Sequence, residues 1–423
     1  MRTGGLSMDQ APPLSIPASF FLTIPLGILF AGYFMFTSIA VSFGSPWTAQ
    51  TLALAHAGTL GVLAMGMVGA LYQMTPVIAG VPVPMARLAH IVHGLLLVGL
   101  IGFLWRLVDG PDYAMVISIR SFSLALILFL IPMAWALARP ATHNETVQGM
   151  RLALASLAII SLAGLVTARG FAGGPFPDEE MLWVQIHMTL ALLGWVGGLL
   201  LAVSWQVIPM FYLTSTFSKS SRQWLLGLLF IGLVLTLASV FIDIGFLSRG
   251  QTAAVAALPA AIAAWLLHPV IVLRNIAGRK RKRSDASLLF WNTGLVFALL
   301  LIPTALAALF IYDPRWQVLF GWLAIWGWAG TILHGMLSRI VPFLVWFHRY
   351  SARVGLEPVP SMRSLLSQRR IQVGFFLHTA SVLSGSATIL IQADMLAKLT
   401  GLLLAATAVS LASTLVHVLK RRK

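Results

Sequence analysis

Twelve apolar runs constrain this chain more than any other feature, at about 16–43, 52–79, 84–108, 113–138, 147–168, 181–213, 222–248, 252–277, 286–312, 316–347, 369–392 and 394–419. A helix needs roughly 20 residues to cross a hydrocarbon layer of ~30 Å. In lipid, only helices and closed barrels satisfy every backbone donor and acceptor. Barrel strands are about ten residues long and alternate in polarity, whereas these runs are longer and uniformly apolar. The sequence therefore reads as an all-α polytopic membrane protein of about 12 transmembrane helices, forming a single transmembrane domain over 1–423. Composition agrees: 59% of residues are hydrophobic and 9% charged, against about 25% charged in a soluble domain. The longest loop, about 348–368, is a short basic connector, so no soluble domain is expected.

The formal charge of +16 does not indicate nucleic acid, because the basic residues are sorted by loop. The amino end, the loops after even-numbered runs and the carboxyl tail together hold 21 Lys and Arg. The loops after odd-numbered runs hold only Arg106, Arg169, Arg249, Arg315 and Lys398. Positive charge collects on the cytoplasmic side of a membrane protein, so both termini are expected in the cytoplasm and the chain in the inner (plasma) membrane. The run from Arg279 to Arg283 reads as a topology anchor against anionic lipid. The first 15 residues show no cleavable signal pattern. Cysteine is absent, which excludes disulfides, thiolate metal sites and iron–sulfur clusters.

Three of the runs end alike: GALYQMTPVIAG at 69–80, LAVSWQVIPMFY at 201–212 and GMLSRIVPFLVW at 335–346. Each places a long polar side chain three residues before a proline, as Gln73/Pro76, Gln206/Pro209 and Arg339/Pro342. One helical turn separates the two, so the polar group is expected to satisfy carbonyls that the proline leaves without a donor. The recurrence every fourth run suggests three four-helix pseudo-repeats, at about 16–138, 147–277 and 286–419.

Histidine is the residue type best placed to carry chemistry. His56 stands 20 residues before Pro76 and His187 stands 22 before Pro209. At 1.5 Å per residue each gap is about 30 Å, so the two are expected at matching depth near the outer ends of equivalent helices. Both lie in Gly- and Ala-rich stretches, and small residues allow close approach of a helix or of a flat porphyrin. Imidazoles in lipid need partners. Either the pair ligates haem iron, or each histidine bonds a carbonyl or a headgroup. Gly58, Gly61, Gly194 and Gly197 are the residues expected to clear space for a macrocycle. A second group, His90, His93, His334 and His378, lies toward the inner side and could hold a second haem or a copper ion. The alternative is four separate, satisfied histidines. His143, His348 and His417 read as solvated, and His268, before Pro269, as structural.

Acidic residues sit in loops or at the edges of runs, with only Asp243 placed to be embedded. A proton pump normally shows carboxylates along its path. Arg120, inside the fourth run at the depth of His56 and His187, suits a haem propionate or else snorkels to headgroups. No Walker-type loop, metalloprotease His-Glu helix or nucleophile elbow occurs.

Twelve runs, the threefold four-run recurrence and the segment from His56 to Pro76 together resemble the haem–copper oxidase subunit I superfamily. There, the second-span histidine ligates a low-spin haem at the head of a Gly-rich helix that ends in proline. HMTLALLGWVGGLLL, from His187, is similar to haem-ligand helices of the nitric oxide reductase branch. Two departures are plain. Where that family has two histidines separated by one residue on its tenth span, this chain has Trp322, and residues 222–248 contain no histidine for copper. The resemblance implies a b-type haem between His56 and His187, a cytochrome c-type or quinol electron donor, and oxidoreductase chemistry other than proton-pumping oxygen reduction. Covalent c-type haem would need cysteines. Two further readings stand beside this one: a non-enzymatic relative of the NnrS family, in nitric oxide response or metal handling, and a metal-free small-molecule permease.

Overall fold

Each apolar run becomes a helix in the computed structural model, which describes residues 11–176, 178, 180–242, 244–280 and 285–421. Asp243, Arg281 to Arg283 and Lys423 lie outside the described residues. The twelve helices long and apolar enough to cross a membrane are α1 Ser15–Thr37, α2 Ala49–Ala79, α3 Ala86–Leu107, α4 Asp112–Ala138, α5 Glu145–Phe171 and α6 Leu182–Tyr212, followed by α7 Lys219–Phe241, α8 Leu258–Ala277, α9 Ser287–Phe310, α10 Arg315–Arg349, α11 Gln368–Ile391 and α12 Asp394–Lys420. No strand occurs among the described residues. The protein is an all-α polytopic membrane protein, and its lipid-facing helices meet the bilayer directly.

Three helix ends fall short of the apolar runs: α7 stops at Phe241, before its run ends at 248, and the other two differ for local reasons. The first run continues to 43, but α1 stops at Thr37 and Ala40–Phe43 forms a 3₁₀ turn. The Ala40 N–H donates to the Asp394 carboxylate at 2.7 Å, a partner that a continuing helix would not present. Before α8, the chain makes a separate short helix, Arg249–Ala256, opened by a capping box of Ser248 and Gln251.

The three proline-bearing helices are unlike the others. Of their apolar windows, 67% (α2), 83% (α6) and 83% (α10) is buried, against 28–61% in the other nine. Each also contains a π-helical stretch: Thr59–Ala64, Leu190–Gly197 and Leu323–Gly330. Ala64, Gly197 and Gly330 each stand twelve residues before the proline of their own helix. A fourth π stretch, Ile262–Leu267, lies in α8. Long π stretches are rare and concentrate where a helix serves a function beyond packing.

The expected role of the polar residue before the proline is not borne out at Gln73, whose two buried amide atoms lack a hydrogen-bond partner. Arg339 pairs with the Asp285 carboxylate, and its Nε donates to Ser287 Oγ at 2.9 Å. Gln206 is exposed.

The described chain falls into two compact units, with the boundary inside α2. One takes in residues 13–69 and 285–421, the other 70–280 together with 11 and 12. In the first, α1 crosses α12 backbone to backbone: a Cβ on Gly32 would fall 2.9 Å from Gly401 O, and one on Gly401 2.7 Å from Gly32 O. In the second, the same device joins α7 to α8, where a Cβ on Gly232 would lie 2.4 Å from Ala260 N. Lipid gives no hydrophobic drive to helix association, so close packing at small residues supplies much of it.

Candidate functional site

His56 is presented by α2 three residues before its π stretch, and is half-buried. Its Nδ1 lies 2.8 Å from Leu52 O, one turn earlier. His187 holds the corresponding place on α6, three residues before Leu190, and is half-buried as well. Its Nδ1 lies 3.0 Å from Ile160 O on α5. Gly164 lets α5 come this close, since a Cβ there would meet His187 Cε1 at 2.9 Å. Only a protonated Nδ1 can donate to a carbonyl, so both rings are Nδ1–H tautomers with the lone pair on Nε2. That is the orientation in which a carbonyl holds a ligating imidazole. It is also the bond by which an imidazole without a metal satisfies itself. His56 belongs to the unit of 13–69 and 285–421, and His187 to the unit of 70–280.

The glycines expected to clear a slot for a porphyrin are used for helix contacts instead. A Cβ on Gly58 would fall 2.5 Å from Ile325 Cγ2. Gly61 meets α1 at Gly27, whose Cβ would lie 2.6 Å from the Gly61 carbonyl carbon. At Gly194 the neighbour is Ser156 Oγ, at 2.4 Å. Thus the donor nitrogens fit axial ligation, whereas the clearance at these three positions goes to neighbouring helices.

Arg120 is exposed on α4, on the face that also bears exposed Ile117, Leu124, Ile127 and Ile131. A guanidinium there reaches headgroups along a lipid-facing stripe, which favours the snorkelling reading over the propionate.

The histidines expected on the inner side separate into two sets. His90 is exposed and His93 half-buried, both on α3 in the unit of 70–280. In the other unit, His334 of α10 and His378 of α11 are buried, with ring centroids 5.3 Å apart at 78°. Phe290 of α9 packs on both, at 4.7 Å and 6.3 Å. His378 Nε2 lies 3.1 Å from Trp326 O and 2.9 Å from Thr331 Oγ1. Trp326 is inside the π stretch of α10, and its carbonyl also accepts from the Thr331 hydroxyl at 3.1 Å. Among the described residues, no group of three or more His, Asp or Glu side chains is arranged to hold a metal ion. The four histidines therefore do not form one cluster.

Two polar pairs were not evident from the sequence. Buried His268 accepts its place through Ser204, whose Oγ lies 2.9 Å from His268 Nε2 and donates to Leu201 O at 2.8 Å. The buried Arg339–Asp285 pair, with side chains 8% and 12% exposed, had one sequence signal. Asp285 opens an odd-numbered span and Arg339 lies near the end of an even-numbered one, which puts both on the same side of the membrane.

The fold and these sites define a polytopic helical membrane protein in which His268, His334 and His378 are buried. No protein-family model matches the sequence, and no curated protein shows a detectable match.

Proposed function

We propose that the protein is a membrane haem protein, with His56 and His187 as the axial ligands of a non-covalent b-type haem near the outer face. The observation that carries this reading is the shared tautomer: each Nδ1 is engaged by a carbonyl, at equivalent positions three residues before a π stretch. Bound haem b would supply a one-electron couple suited to electron transfer or to gas or quinol chemistry. Leu52 O and Ile160 O would hold the two rings in orientation. The common twelve-residue offset of the three π stretches supports the threefold pseudo-repeat that relates these helices. The distribution of Lys and Arg supports an inner-membrane chain with both ends in the cytoplasm.

The occupied glycine positions and exposed Arg120 favour a second reading, a metal-free permease. An absorption spectrum of the purified protein separates the two. A six-coordinate low-spin haem spectrum is expected, lost in His56→Ala and in His187→Ala and kept in His417→Ala. Protein expressed with ample haem that shows no Soret band would sink the haem reading in favour of the permease.

A further inference from the structure

The touching rings of His334 and His378 present an unanswered chemical demand. His378 commits Nε2 to Trp326 O and Thr331, which fixes the proton on Nε2 and leaves a lone pair on Nδ1. That Nδ1 is buried and has no hydrogen-bond partner, and the same is true of His334 Nδ1. The rings are only 2% and 8% exposed. Leaving buried polar nitrogens unanswered costs about 1–3 kcal/mol each. Neighbouring residues offer no relief, because Phe290 packs on both rings and has no donor.

We propose that His334 and His378 form a two-imidazole site for a monovalent d¹⁰ cation, copper(I). What the pair lacks is a Lewis acid, and its surroundings restrict which one. Phe290 lies against both rings and their centroids are 5.3 Å apart, which excludes a porphyrin between them and restricts the occupant to a single ion. With two neutral ligands and no third His, Asp or Glu in the group, a buried divalent ion would keep its whole charge. The solvation cost of burying an ion rises with the square of its charge, about fourfold from one to two. Monovalent d¹⁰ ions accept two ligands in a line, and imidazole suits copper. The His378–Trp326 carbonyl bond is the outer contact that orients a ligating ring. On the His334 side, a cleft with about 20 Å³ of space is lined by His334, Phe290, Ser338, Pro342, Arg370 and Thr414. That is enough for a water or a small ion.

The site lies in one unit and stands independently of the haem reading. Full-length protein in detergent, under anaerobic reducing conditions, is titrated with copper(I) against a chromogenic copper(I) chelator. One copper per chain is expected to be retained, and X-ray absorption of the loaded wild type is expected to show a two-coordinate, nitrogen-only shell. His334→Leu and His378→Leu are each expected to lose the ion. Thr331→Val is expected to keep the stoichiometry with affinity weakened roughly 10–100-fold. The Soret band of the same samples reports haem separately, so failure of one reading does not imitate failure of the other. No retention by the wild type, equal retention by both histidine variants, a shell containing sulfur or three or more ligands, or zinc(II) held as tightly as copper(I) overturns the proposal. The wild-type spectrum decides the matter even if a leucine variant fails to fold.

Discussion

Asp285 and Arg339 form an ion pair almost wholly removed from solvent, with Ser287 Oγ taking one further guanidinium proton. Removing one partner of such a pair strands a charge and costs about 3–5 kcal/mol, whereas replacing both with apolar groups is often neutral. Asp285→Ala and Arg339→Met are therefore each expected to lower stability by about 3–5 kcal/mol. The double variant is expected to recover most of the loss. Denaturation in mixed micelles, read as a double-mutant cycle, checks this, and additive losses would refute the coupling. A smaller effect is expected at His268, where Ser204→Ala removes the hydroxyl that accepts from the buried ring N–H. That change should cost about 1–3 kcal/mol.

At the scale of helices, the glycines divide into contact points and spare positions, and the two kinds predict opposite results. Gly401 meets the α1 backbone, so Gly401→Leu is expected to force the helices apart and cost at least the ~1–3 kcal/mol of an overpacked core. Gly227, on α7, has nothing within 4 Å of a Cβ. Gly227→Ala is expected to be neutral or to stabilise by up to about 1 kcal/mol, the helix penalty of glycine. Thermal loss of monodispersity in detergent measures both, and a destabilised Gly227→Ala would refute the distinction. The sequence showed which runs are helical, because length and apolar content decide that in lipid. It also showed that the helices of Pro76, Pro209 and Pro342 each carry a long polar residue three places before the proline. It did not show their π stretches, since the Ala- and Gly-rich residues at 59–64 or 323–330 are equally good α-helix in composition. Nor did it show where each glycine's space goes: Gly58 reads as clearance until Ile325 is placed against it. His334 and His378 were legible as candidate ligands. Their contact was not, because the facing of two side chains 44 residues apart in sequence depends on tertiary packing alone.

For the molecule as a whole, chain order and spatial grouping diverge. The compact units do not follow the chain: residues 13–69 join 285–421, and 70–280 form the other unit. Charge is the one whole-chain property that still follows the order of the spans. Twelve crossings return the carboxyl end to the side on which the amino end began, and an even count of crossings also precedes the loop between α8 and α9. That loop and the tail carry ten of the Lys and Arg residues counted between Arg274 and Lys423 at these two places, and basic loops stay in the cytoplasm. Reporter fusions at Lys282 and at Lys423 are therefore both expected to report the cytoplasm, while one in the loop after α9, at Asp313, is expected to report the opposite side. A cytoplasmic signal at Asp313 would mean that α9 does not cross. A non-cytoplasmic signal at Lys423 alone would mean an odd number of crossings after Lys282. With Asp313 on the opposite side, that result would mean that one of α10, α11 and α12 does not cross.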